Sequence, residues 1–436
     1  MSVLAINGGK KVREALFPAY KVIGEEEEKA VVEVLRSGIL SKYLGCWDDD
    51  FYGGPRVRKL EEEWAKYFGV KHAIAVNSAT SALYCAAGAI GLEAGDEVIV
   101  TPYSMSASAT APLIYNAIPV FADIEEEYFC LDYDSIEERI TEKTKAIVVV
   151  NLFGQPYDAD RINDIARKHG LKIIEDNAQG PGARYKGRFA GTLGDIGVFS
   201  LNYHKHIHCG EGGIAVTNDD ELAERMRLIR NHAEAVVEAK GYTELNNMVG
   251  FNLRMTEIEA AIATEQLKKL EYLIDERIRN VEYLKKLMED VPCVKVAPVR
   301  EMCKHVYYMF PLLYDENMTG VPRELFVEAV RAELSPTMLR ETEGVRVEYG
   351  YVKPLYLQPI FQKRIAFGTS GFPIGNSNIK YDKGICPNCE RLHEKTLITH
   401  DLIKAGMKKE DLDDVYKAFK KVYDNIGELR KCINKE

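Results

Sequence analysis

From about residue 60 to residue 275 the chain alternates short apolar runs with amphipathic stretches of helical period. Apolar runs at Ala73-Val76, Glu97-Val100, Pro119-Phe121, Ala146-Val150, Lys172-Ile174, Ile196-Ser200 and Gly213-Thr217 predict strands. Ser81-Ile90, Ala159-His169 and Asp220-Arg230 predict helices between them. Such alternation predicts an α/β fold whose mostly parallel sheet is covered by helices on both faces. Ligands of these sheets bind beyond the carboxyl ends of the strands, so the loops there are where chemistry is expected. A long, charged helical stretch from Thr256 to about Leu287 then leads into a region with fewer strand signals, ending in the helical DDVYKAFKKVYDNIGEL. Residues 1–275 are read as an N-terminal segment plus a large domain, and 276–436 as a smaller α+β domain. Within the latter, FGTSGFPIGNSNIKYDKGICPNCE is rich in Gly, Pro and Asn and predicts an extended loop.

Composition narrows the class. With 46% hydrophobic and 28% charged residues the chain has the makeup of a folded globular protein. A net charge of -10 without a basic run argues against nucleic acid as a partner. The first twenty residues lack a signal-peptide pattern, no apolar run is long enough to span a bilayer, and nine cysteines are scattered. A cytoplasmic location with reduced thiols and no membrane contact is expected. Cys386-Pro-Asn-Cys389 has no second half at zinc-site spacing and reads as two thiols in a loop.

Three loops after strands carry candidate chemistry. Asn77-Ser78-Ala79-Thr80-Ser81 opens a helix with small hydroxyl residues. The free N–H groups and positive dipole of such a turn suit a phosphate, although Ser and Thr also serve as simple N-caps. Asp176, in EDNAQ, is a carboxylate at a buried strand end and needs a cation or a protonated ring nitrogen, or else an ordinary capping or salt-bridge role. FSLNYHKHIHCGEGG places Lys205 among His204, His206 and His208. Alternating histidines on one strand face could bind a metal, but no carboxylate or cysteine is placed to complete the ligand set, so no metal is expected. If Asp176 and Lys205 share a pocket with the phosphate turn, the three loops describe one cofactor, since phosphate, pyridine nitrogen and aldehyde carbon are the three handles of pyridoxal 5'-phosphate.

The ordered motifs SATSAL, EDNAQ, FSLNYHKHIHCGEGG and GFNLRMTEIEAAIATEQL resemble the SGTxAL, EDxAQ, FSFxxxKxxxxGEGG and GxNxRM of the DegT/DnrJ/EryC1/StrS sugar aminotransferases, a branch of the fold-type I pyridoxal-phosphate enzymes. The resemblance covers roughly residues 10 to 315. It implies Lys205 as the Schiff-base lysine and Asp176 as the partner of the pyridine nitrogen. It implies Ser78, Ala79, Thr80 and Ser200 around the phosphate, and Gln179 near the phenolic oxygen. Asn252 would reach the phosphate bound by the neighbouring subunit, and a homodimer is therefore implied. Met105 stands where the family has a ring-stacking aromatic, with Tyr103 as an alternative, and Pro181 stands where histidine is common. The implied reaction takes an amino group from glutamate or glutamine and gives it to a keto sugar, nucleotide-linked or cyclitol. The C-terminal segment from GYVKPLYL onward resembles that of the cyclitol branch. A pyridoxal-phosphate sugar dehydratase and a non-catalytic regulatory protein of the same fold are the alternatives; an intact Lys205 argues against both.

Overall fold

The computed structural model describes residues 3–433. Its main sheet has seven strands: β1 (His72–Val76), β2 (Glu97–Val100), β3 (Ile118–Phe121), β4 (Thr144–Val150), β5 (Lys172–Asp176), β6 (Ile196–Ser200) and β7 (Gly213–Thr217). They lie in the order β1-β7-β6-β5-β4-β2-β3, and only β7 runs antiparallel to its neighbours. Nearly every strand residue is buried, as expected of a parallel sheet covered on both faces by helices such as α1 (Ala79–Ala89), α2 (Ala159–His169) and α3 (Asp220–Arg230).

β5 is longer than its apolar run. Val149 and Val150 of β4 pair with Glu175 and Asp176, and Gly197 and Val198 of β6 pair with them from the other side, so the ladder carries two carboxylates into the sheet. The alternation of a strand sends them to opposite faces. Glu175 takes N–H groups from Gly191 (2.6 Å), Leu193 (2.8 Å) and the Asn151 amide (2.8 Å), and is thereby a structural carboxylate. Asp176 faces the other way, toward the loops at the strand ends.

β7 sets the geometry at those ends. Its first residue, Gly213, pairs with Val76 of β1 and with Ser200 of β6, so the turn after β1 and the end of β6 are brought side by side. A Cβ on Gly213 would lie 2.4 Å from the Ser78 carbonyl carbon and 2.5 Å from the Ala79 nitrogen. The last glycine of GEGG is demanded by that backbone approach.

Helix α4 (Glu257–Met288), capped reciprocally by Thr256 and Glu259, runs through residue 275 without a break and leads to a second sheet. Its strands β8 (Val294–Val296), β9 (Phe310–Tyr314), β10 (Val347–Tyr349) and β11 (Leu397–His400) are antiparallel in the order β8-β9-β11-β10. Helices α5 (Arg323–Ala332) and α6 (Lys409–Asp424) bury Phe326 and Phe419 in its core.

Packing does not follow chain order. Leu4 and Phe17 join the core of the second sheet. Residues 351–392, between β10 and β11, leave that sheet and place Tyr356, Phe361 and Tyr381 around Phe121 of β3. The segment predicted as an extended loop is therefore a compact excursion with short helical turns at Ile374–Asn376 and Pro387–Arg391. It is held by side chains: Arg364 donates to the carbonyls of Ile374, Ser377 and Ile379 at 2.5–2.7 Å, and the Tyr381 hydroxyl donates to Pro119 O at 2.8 Å. Among the described residues no helix is long and apolar enough to cross a membrane.

Candidate active site

A cavity of about 360 Å³ opens at the carboxyl ends of β1, β4, β5 and β6. Ser78, Ala79, Thr80, Met105, Asp176, Gln179, Ser200 and Lys205 all line it. Of the residues implied by the sequence, Asn252 alone lies off its wall; it is exposed on the surface, bridged through its backbone to Asn231.

At one end is the N-terminus of α1. Ser78 caps it, its Oγ accepting from Ser81 N at 3.1 Å, and the first intrahelical bond runs from Ala82 N to Ser78 O. The N–H groups of Ala79 and Thr80 precede that bond and have no partner within the helix. Ser200, held beside them by the Gly213 pairing, adds a hydroxyl. The result is a cup of donors at a positive helix end, which fits a phosphate.

Asp176 lines the same cavity. It is buried; Ser108 donates to Oδ2 at 2.7 Å and Ala178 N to Oδ1 at 3.1 Å. Burial raises its pKa, against the lowering effects of those two hydrogen bonds and of the Lys205 charge. A desolvated carboxylate at a cavity wall is stabilised by an adjacent cation, and a protonated pyridine nitrogen is such a group.

Lys205 stands on the connection between β6 and β7. That connection is not a strand: Lys205 N bonds Asn202 O (2.9 Å), Tyr203 N bonds Gly210 O (2.9 Å) and Cys209 N bonds Leu201 O (3.0 Å), closing a tight loop. The three histidines consequently do not share a face. His206 is fully buried with Nε2 on Val306 O at 2.8 Å, and burial together with Arg277 pushes its pKa down. His208 accompanies Gln266 away from the cavity, also with a pKa lowered by burial. Only His204 lines the cavity. Among the described residues no group of three His, Cys, Asp or Glu side chains could hold a metal ion. The Lys205 amine lies 4.4 Å from the centre of the Tyr308 ring.

The remaining wall comes from further away. Phe153 N, in a residue with φ of +58°, donates to Gln179 Oε1 at 2.8 Å, so the Gln179 amide is turned to donate from Nε2 to the Tyr351 hydroxyl at 3.1 Å. Tyr351 belongs to the excursion. Met105 is 60% exposed on the cavity wall, whereas Tyr103 is fully buried off it, between Tyr351 and His393. Tyr103 therefore cannot stack on a ring in the cavity, and Met105 is the residue of that stretch that can reach one. Pro181 is buried away from the wall. Asn202 lies within the lysine motif but is not singled out by it, and Ser108, Tyr308 and Tyr351 carry no signal in the sequence. Ser108 lies in a run of small residues, and the tyrosines lie in no motif.

The strand order, the helix-end cup, the buried aspartate and the loop lysine together define a fold-type I pyridoxal-phosphate-dependent transferase. The chain matches the DegT/DnrJ/EryC1/StrS aminotransferase family over residues 21–420 and belongs to it. It is 33% identical, over 98% of its length and 99% of the relative's, to the L-glutamine:2-deoxy-scyllo-inosose aminotransferase of Streptoalloteichus tenebrarius. The structure of DesI in the presence of its TDP-sugar product is similar with a TM-score of 0.81 and 27% identity, covering 99% of both chains. The E coli GDP-4-keto-6-deoxy-D-mannose-3-dehydratase with bound hydrated PLP is similar with a TM-score of 0.74 and 26% identity, over 92% of this chain and 99% of that one.

Proposed function

We propose that this aminotransferase moves the amino group of glutamine to a keto-cyclitol, with a nucleotide-linked keto sugar as the second reading. The observation that carries the transfer is that one cavity is lined by Asp176, Lys205 and the start of α1. The cyclitol acceptor is supported by likeness to a glutamine:2-deoxy-scyllo-inosose enzyme from end to end, excursion included. The second reading is supported by equal coverage of a structure holding a TDP-sugar product. The dehydratase alternative is disfavoured by Lys205, an amine able to carry a proton at the reacting carbon.

The cavity fits pyridoxal phosphate from end to end. Ser78, Ala79, Thr80 and Ser200 would bind its phosphate, Gln179 would neighbour its phenolic oxygen, Met105 would cover a ring face and Asp176 would hold a proton on the ring nitrogen. Bound there, the cofactor supplies the electron sink that lets an amino acid surrender its Cα proton. Lys205 Nζ would hold the cofactor and, as general base, would take the proton from the donor's Cα. Tyr308 and Tyr351, which line the cavity, would help to exclude water from that transfer.

Asn252 is given its role by a second copy of the chain. In a C2 dimer it would complete the partner's phosphate cup, and each site would draw on both subunits. Two measurements test the reading. Holoenzyme converted by glutamine should regain its starting absorbance with a keto-cyclitol and not with nucleotide-linked keto sugars; recovery only with the latter selects the second reading, and recovery with neither rejects both. A mixed dimer of Lys205→Ala and Asn252→Ala subunits should recover activity at about half its sites by the symmetry of an isologous interface. Activity no higher than the sum of the two single-mutant homodimers rejects the shared site.

A further inference from the structure

His204 precedes Lys205 and lines the same cavity, and its ring has no freedom of protonation. Arg340 Nη2 lies 2.8 Å from His204 Nδ1. A guanidinium has donors only, so Nδ1 accepts and the ring proton sits on Nε2. Arg340 is itself fixed: Glu343 accepts from its Nε at 2.6 Å and from its Nη2 at 2.5 Å, and Asp401 lies 3.4 Å from Nη1. The Tyr203 ring lies against the imidazole, tilted by 36°, with centroids 3.7 Å apart. Burial, then the Arg340 charge, lower the pKa of His204 to about 4, so the ring is neutral at pH 7.

The charges behind this wall form a network. Arg346 pairs with Glu343 at 2.9 Å and Lys404 with Asp401 at 2.7 Å, and Glu348 also acts on Arg346. An N–H donor polarised by a guanidinium favours an oxyanion over a neutral hydroxyl. A keto-cyclitol carries no oxyanion, and the diphosphate of a nucleotide-linked sugar is remote from its reacting carbon. The α-carboxylate of an amino acid is one bond from the Cα whose proton Lys205 must reach. We propose that His204 Nε2–H binds the α-carboxylate of the amino-acid donor, and that Arg340 is the positioning residue that fixes its tautomer. The inference rests on the aminotransferase reading above.

The test separates the two half-reactions of the holoenzyme by stopped-flow absorbance. In the glutamine half-reaction, His204→Phe should raise the half-saturating glutamine concentration about ten- to a hundredfold, the range for a lost hydrogen bond to a charged group, with a maximal rate within about threefold of wild type. The acceptor half-reaction should be unchanged. His204→Gln, which can still donate, should restore most of the affinity. Should His204→Phe fail to fold or to hold the cofactor, Arg340→Met keeps the question open to measurement: nitrogen NMR of histidine-labelled protein should show His204 as Nε2–H in wild type and as a mixture in the variant, with a rise in half-saturating glutamine of a few fold. Equal slowing of both half-reactions, an effect on the acceptor half alone, or an unaltered tautomer in Arg340→Met would overturn the proposal. A wild-type enzyme that reacts with no amino acid would instead overturn the aminotransferase reading, and this inference with it.

Discussion

The cavity has a floor and a roof built in different ways. The floor, at the ends of β1, β5 and β6, is held by sheet ladders and short loops; Ser78, Asp176, Ser200 and Lys205 each lie within a few residues of a paired strand residue. The roof, formed by Tyr308 and the excursion 351–392, is held by side chains reaching far along the sequence. Tyr351 N donates to the Tyr103 hydroxyl at 2.8 Å, and that hydroxyl lies 3.3 Å from His393 Nδ1. Asp123 accepts from the N–H groups of Asn388 (2.8 Å) and Cys389 (3.0 Å). The floor is tied into the central ladder, whereas the roof depends on these side-chain bonds and on the packing of Tyr356, Phe361 and Tyr381 against β3. The groups proposed for the chemistry thus lie at strand ends, and Tyr351 reaches the same cavity from a segment placed by side chains.

Breaking the floor has the largest effects. Lys205→Ala should take turnover below detection, because in the proposed mechanism the same amine holds the cofactor and carries the proton. Borohydride reduction of wild-type holoenzyme should fix the label on the peptide holding Lys205, and labelling at another lysine would contradict the assignment. Asp176→Asn should lower the rate by a hundredfold or more, about 3 kcal/mol of transition-state stabilisation, since a neutral amide no longer favours a protonated ring nitrogen. Its fold should survive, because the amide oxygen can still accept from the Ala178 N–H. A rate within about threefold of wild type would remove Asp176 from that role.

Breaking the roof should do less, and differently. Arg364→Ala removes a cation that serves three carbonyls, a local loss of about 2 kcal/mol. Limited proteolysis should then cut within the excursion, and the acceptor half-reaction should slow about tenfold, while cofactor retention and the glutamine half-reaction stay near wild type. Loss of the cofactor together with the excursion would show that floor and roof are one cooperative unit.

Most of the floor is legible in the sequence. β6 and β7 have the bounds their apolar runs predict, as do α2 and α3, because runs of buried aliphatic residues and capped amphipathic helices are local signals. Asp176 and Lys205 are legible for a related reason: one lies just past an apolar run and the other shortly after a strand, and the fold class says where strand ends point. β5 extends two residues past its apolar run, since Glu175 and Asp176 do not look like strand residues until β4 and β6 pair with them.

The rest is decided by contacts distant in sequence. Nothing near Ser108 says that it donates to Asp176, and nothing near Tyr351 says that the excursion carries it over the cavity. Arg340 is 136 positions from the histidine whose tautomer it sets. Periodicity and motif report what a residue does within a few turns of its own chain. By itself, then, the sequence determined the order of strands and helices, the cup of donors after β1, and the carboxylate and amine at the strand ends. Only the tertiary structure decided that β7 would press Gly213 between two of those ends, that the glycine-rich tail would fold back on β3, and which neutral and charged groups would surround the lysine. The reason is physical: burial and side-chain hydrogen bonds depend on what is nearby in space, and the chain brings those groups together only when the sheet has formed.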